Sequence, residues 1–235
     1  MNDDSKQSQG AYDQGTVDGN GVGTFQGDLG TIDAFSPDHG PDKSILRSIY
    51  VVHDQKNLIE LGWLWTPDQD TATAQGYPHT TNQPTVFAVR EVRGVYKPYL
   101  EDPNPVNTGW GTLSNGAHTF QIIHAARIAD PTVDTSYWNL YRDGKFVRII
   151  RVGFDRGYVS AASEAFGLCD SLLSHYSSMQ KLRNINPNSG WELWGSPTPF
   201  KQHSEWWWYS PSAVNAWQVL HCQKEFCHDY TGLAP

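Results

Sequence analysis

Basic residues are scarce in this chain, and so are cysteine, methionine and long apolar runs. Lys and Arg total 17 against 25 Asp and Glu, which gives a net charge of −8 and a pI near 5.5. No basic cluster offsets that balance, so nucleic acid is not an expected partner. No eighteen consecutive apolar residues occur, and no membrane-spanning helix is expected. Cys-x-x-Cys and HExxH are both missing, and no Cys/His spacing of a usual zinc site is present. Metal and cofactor are therefore expected to be absent. There is no Gly-x-Ser-x-Gly, and the nine His are scattered, with His124 read as a core imidazole. No Gly-rich loop leads from a strand into a helix, which argues against nucleotide binding. The first residues, Met1-Asn2-Asp3-Asp4-Ser5, are polar and acidic rather than a signal peptide. The expectation is a chain that begins after a removed leader.

Three cysteines are present, Cys169, Cys222 and Cys227, so one is left over from any pairing and three pairings are open. The region around Cys222 and Cys227 is read as a disulfide region that ties down the C-terminal segment. Aromatic residues, by contrast, are plentiful: ten Trp, eleven Tyr and nine Phe. Such a lysine-poor, aromatic-rich profile suits secreted β proteins that work at acidic pH or on carbohydrate.

At 235 residues the chain can bury one substantial core. Residues 1–28 read as a flexible polar arm, and 29–235 as a single β domain with an aromatic-rich C-terminal segment. Short alternating segments recur between turn signals. They are Gly30–Phe35, Leu46–His53, Asn57–Trp65, Thr85–Val92, Val95–Leu100, His118–Ile128, Tyr137–Tyr141, Lys145–Val152, Tyr158–Phe166, Trp191–Trp194, Trp206–Tyr209 and Val214–Leu220. Asp143-Gly144 marks the clearest hairpin tip. Leu168–Leu182 is expected to contain a short helix. This pattern predicts an all-β fold, an antiparallel β-sandwich or jelly roll of the concanavalin type with few short helices.

Two of these strands carry a mid-strand carboxylate. In NLIELGWLW, alternation sets Leu58, Glu60, Gly62 and Leu64 on one side, and Ile59, Leu61, Trp63 and Trp65 on the other. An ionised Glu60 between two leucines is costly unless paired, hydrated in a cleft or protonated, and Gly62 leaves space beside it. In YVSAASEAF, Glu164 shares a face with Tyr158, Ser160, Ala162 and Phe166.

The order of these motifs resembles the neprosin-type glutamic peptidases over roughly residues 28–168. Gly30-Thr31-Ile32 opens the resemblance, and Glu60-Leu61-Gly62-Trp63 is similar to that family's Glu-x-Gly-Trp. Val86-Phe87-Ala88, Gly111-Thr112-Leu113, Trp138-Asn139-Leu140-Tyr141 with Asp143-Gly144, and the strand of Glu164 follow in order. The sequence departs from the family in having Ala162-Ser163 where a Gly-Gly pair precedes the second glutamate, and it lacks the Cys-containing segment between the glutamates.

The resemblance implies a secreted, acid-active endopeptidase with Glu60 and Glu164 as its catalytic pair. One carboxylate would take a proton from water while the other, protonated, supports the oxyanion. Gly62, Trp138, Tyr158 and Ser160 are expected to line the substrate site, the substrate to be a polypeptide, and the chain to be a monomer. Two other readings stay open. One is a glycoside hydrolase that uses the same two glutamates on a polysaccharide. The other is a lectin-like surface module in which they are structural.

Overall fold

The structure, a computed structural model, describes residues 8–12, 25–35, 44–66, 80, 83–100, 108–130, 133–166, 172–183, 190–195, 198–200, 207–213 and 215–221. The three cysteines, and with them the expected disulfide, lie outside the described residues.

The chain forms a β-sandwich whose strand pairs are all antiparallel. The first sheet contains β1 (Ser8–Tyr12), β3 (Ser44–Asp54), β4 (Asn57–Trp65), β5 (Thr85–Val92), β6 (Val95–Tyr99), β10 (Tyr158–Phe166) and β13 (Thr198–Phe200). They lie side by side in the order β13-β1-β10-β3-β4-β5-β6. The second contains β2 (Gly27–Ala34), β7 (Gly116–Asp130), β8 (Val133–Arg142), β9 (Lys145–Val152), β11 (Leu172–Leu182), β12 (Trp191–Leu193), β14 (Trp207–Ala213) and β15 (Ala216–His221). Its order is β14-β15-β11-β2-β7-β8-β9, with β12 beside β11.

Local chemistry explains the tight hairpins. Asp143 and Gly144 at the β8–β9 tip both have positive φ, 50° and 72°, the backbone of a two-residue primed turn. Arg93 and Gly94 do the same between β5 and β6, at 56° and 76°. Asn57 Oδ1 accepts from Arg93 N at 3.1 Å, and Gly94 N donates to Lys56 O at 3.0 Å, so the β3–β4 and β5–β6 tips are tied together.

The core lies between the sheets. Ile45, Ile49, Val51, Ile59, Leu61, Trp63 and Val159 meet Ile32, Phe120, Ile122, Trp138, Leu140 and Trp217 there, nearly all without exposure. Tyr176 stacks on Trp217 with ring centroids 5.3 Å apart, and Trp194 donates its indole N–H to Asp28 at 3.1 Å. Trp194 and Trp217 thus serve as core, whereas Trp191 is only partly buried.

Two expectations need correction. Leu172–Leu182 is a strand, not a helix, and no helix occurs among the described residues. A bulge between Ser177 and Gln180, with Ser178 at φ 54°, sets the inward residues Tyr176 and Met179 three positions apart instead of two. That spacing imitates a helix. In addition, part of the segment read as a polar arm is ordered into the sandwich. Ser8–Tyr12 pairs with β10 and β13, and Phe25 is fully buried.

Candidate active site

β3 is the element that relates the two glutamates. It lies between β4 and β10, so its register with each fixes where Glu60 and Glu164 stand. Glu60 pairs with Tyr50, and Tyr50 pairs with Ser160. Glu164 pairs with Leu46, and Leu46 pairs with Leu64. Both glutamates therefore occupy the same face of one sheet, the face turned away from the inter-sheet core. They are two strands apart and offset by four residues, which in regular strand geometry puts their α-carbons about 16 Å apart.

The residues between them are small. Ser48 sits on β3 midway, flanked in register by Gly62 on β4 and Ala162 on β10. Ser160 extends this floor on the Glu60 side. The hydroxyls of Ser48 and Ser160 are both buried and have no hydrogen-bond partner among the described residues. Leu46, Leu64, Phe87 and Val89 form an apolar cluster on the same face. Glu60 itself is only 3% exposed.

Gly62 has a stricter reason to be glycine than room for a ligand. A β-carbon there would run into the Arg47 carbonyl oxygen and lie 2.6 Å from Ser48 Cα. Only glycine permits this approach of β3 to β4.

The remaining expected site residues fall in different places. Ser160 is level with Glu60, and Tyr158, partly buried, is one row further along the same face. Trp138 does not belong to this face. It is fully buried in the second sheet, donates its N–H to Phe154 O at 2.9 Å, and packs edge-on against His124. Expecting Trp138 to contact substrate was an error of sheet assignment: alternation shows which side of its own strand a residue takes, not which sheet that strand joins. Ser48 and Tyr50 were missed. The signal was available, since Leu46, Ser48, Tyr50 and Val52 alternate along β3 just as Leu58, Glu60, Gly62 and Leu64 do along β4. Among the described residues no three His, Cys, Asp or Glu side chains come together to hold a metal ion.

No protein-family model matches the chain, that of the neprosin-type peptidases included, and no curated protein matches. Solved structures do resemble it in fold. Scytalido-glutamic peptidase with a peptide-based transition state analog matches at TM-score 0.47 and 10% identity, over 92% of this chain and 98% of that one. SCP-B, a member of the Eqolisin family of peptidases in complex with the tripeptide Ala-Ile-His, matches at 0.44 and 9% over the same shares. The kappa-carrageenase from Pseudoalteromonas carrageenovora matches at 0.30 and 10%, over 86% of this chain and 63% of that one. At such identities, with TM-scores below 0.5, none of these likenesses bears on the activity of this chain.

Proposed function

We propose that the chain is a secreted, acid-active endopeptidase of the glutamic type. The observation that carries this reading is the placement of Glu60 and Glu164 on one sheet face, on either side of a floor of Ser48, Gly62, Ala162 and Ser160. The resemblance of Glu60-Leu61-Gly62-Trp63 to the neprosin-type motif supports it.

A glutamate carboxyl lies only about 4–5 Å from its α-carbon. At the separation above, the two groups do not share a proton by direct contact, and they act from opposite sides of a water and a scissile amide held between them. One, as carboxylate, takes the proton of the attacking water. The other, protonated, donates to the carbonyl oxygen as negative charge develops there. The Ser48 and Ser160 hydroxyls supply donors to the substrate main chain along the floor, and Tyr158 bounds the groove. Because one carboxyl has to stay protonated, the activity belongs to acid pH.

The test is digestion of a denatured protein. Cleavage is expected at about pH 3–5 and hardly any at pH 7–8, with serine, cysteine and metal inhibitors having no effect. Intact protein together with hydrolysis of a β-glucan or xylan would replace this reading with the glycosidase, for which a gap wide enough for one water is also suitable. Glycan binding without cleavage would favour the lectin-like module.

A further inference from the structure

Glu60 stands in a row of four side chains across adjacent strands. Val89 on β5 and Tyr50 on β3 pair with it, and Tyr50 pairs in turn with Ser160 on β10. All four belong to the outer face of the first sheet, and none is more than 8% exposed. Along β4 the neighbours of Glu60 on that face are Leu58 and Gly62. Of the four positions that border Glu60, two in register and two along the strand, Val89, Leu58 and Gly62 carry no polar side-chain atom. Tyr50 is the one that brings a hydrogen-bond donor.

Directly opposed side chains have β-carbons about 4.5–5.5 Å apart, so the Tyr50 side chain stands alongside that of Glu60. A buried tyrosine hydroxyl takes a hydrogen-bond partner. Two serine hydroxyls lie near Tyr50 on the same face: Ser160 in its own row, and Ser48 two residues before it on β3. Both are buried and lack a partner among the described residues, so neither accepts the phenol proton. Glu60 is the acceptor that remains beside it.

We propose that Tyr50 is a positioning residue for Glu60: its hydroxyl donates to the Glu60 carboxyl, and its ring closes the β3 side of that side chain. With Val89 on the other side and Leu58 behind, the open direction is over Gly62, toward the floor between the two glutamates. The proposal rests on the reading of Glu60 as a catalytic carboxyl, and it gives that carboxyl a fixed rotamer before substrate arrives. A phenol O–H donated to a carboxylate favours the ionised form, so the contact also helps set the pH at which Glu60 titrates. The other titratable side chains that register places on this face are Glu91 on β5, Tyr96 on β6, and Tyr158 and Glu164 on β10.

Carbon-13 NMR of the glutamate carboxyls, with the Glu60 signal assigned by its loss in Glu60→Gln, reads the titration midpoint of Glu60 directly. In Tyr50→Phe, which keeps the ring, that midpoint is expected to move to higher pH. Replacing Tyr50 by 3-fluorotyrosine keeps ring and hydroxyl, strengthens the donor, and should move it to lower pH. Tyr96→Phe, a hydroxyl lost two strands away, should leave it in place. On a peptide substrate at about pH 4, Tyr50→Phe is expected to lower kcat about tenfold with little change in KM, the scale of one hydrogen bond to a charged group. A Glu60 midpoint unmoved in both position-50 variants, or shifted equally in Tyr96→Phe, would overturn the proposal. Absence of cleavage by the parent protein would overturn the peptidase reading alone, since the titration still decides the contact.

Discussion

Replacing Gly62 by alanine puts one methyl group where the backbone of β3 already lies. The added carbon would run into the Arg47 carbonyl and lie 2.6 Å from Ser48 Cα and 2.7 Å from Ser48 Cβ. Two of these three neighbours are backbone atoms in a central strand, so neither can turn aside as a side-chain tip would. Relief requires β3 and β4 to part by most of an ångström, against β10 on one side and β5 on the other. Overpacking of this kind costs about 1–3 kcal/mol, and the absence of any flexible neighbour puts Gly62→Ala in the upper half of that range. For a chain of this size, about 2–3 kcal/mol lowers the melting temperature by roughly 4–12 °C. Urea unfolding should show a lower midpoint with an unchanged slope, since the surface exposed on unfolding is the same. A variant within about 0.5 kcal/mol of the parent would show that the strands are not packed this closely, and would remove the structural reason for glycine beside Glu60.

Burial pushes the Asp143 carboxyl up, but hydrogen bonds from His118, Thr119 N and Arg142, with the charge of His118, outweigh it and hold the group below its usual range. The stability this contributes is present above the unfolded value of 3.8 and is lost as pH falls through the lower folded value. Asp143→Asn should therefore cost about 1 kcal/mol at pH 6, discounted for partial solvation, with the deficit closing in melts taken below about pH 3; a deficit constant with pH would contradict the assignment. Trp138→Ala should destabilise by about 3–5 kcal/mol, as expected for an aromatic of the inter-sheet core. In Trp138→Phe, the Phe154 carbonyl loses its donor, and KM for a peptide should stay unchanged because the side chain is remote from the glutamate face. A selective change in KM with normal stability would return Trp138 to the site.

The strands were legible because their signals are local. NLIELGWLW and YVSAASEAF carry their period-two pattern within nine residues, and Asp143-Gly144 marks its own turn. β11 was not legible, because the extra residue at Ser178 interrupts its period of two. Trp138 was misplaced because sheet membership depends on the pairing of β7, β8 and β9, which a single strand does not encode. The glutamate face was half legible. Alternation puts Glu60 and Glu164 each on a defined side, but their four-residue offset comes from β3 pairing with β10, more than a hundred positions away.

The central claim is that Glu60 and Glu164 act on one substrate as one unit. The direct measurement is kcat/KM on a peptide substrate at about pH 4 for Glu60→Gln, Glu164→Gln and the double variant, with melts to confirm folding. Each single substitution should lower the rate about a hundredfold or more, and the double variant should be little worse than either, because a base without its proton donor completes no turnover. Full activity in either single variant, or losses that simply multiply in the double, would contradict the account.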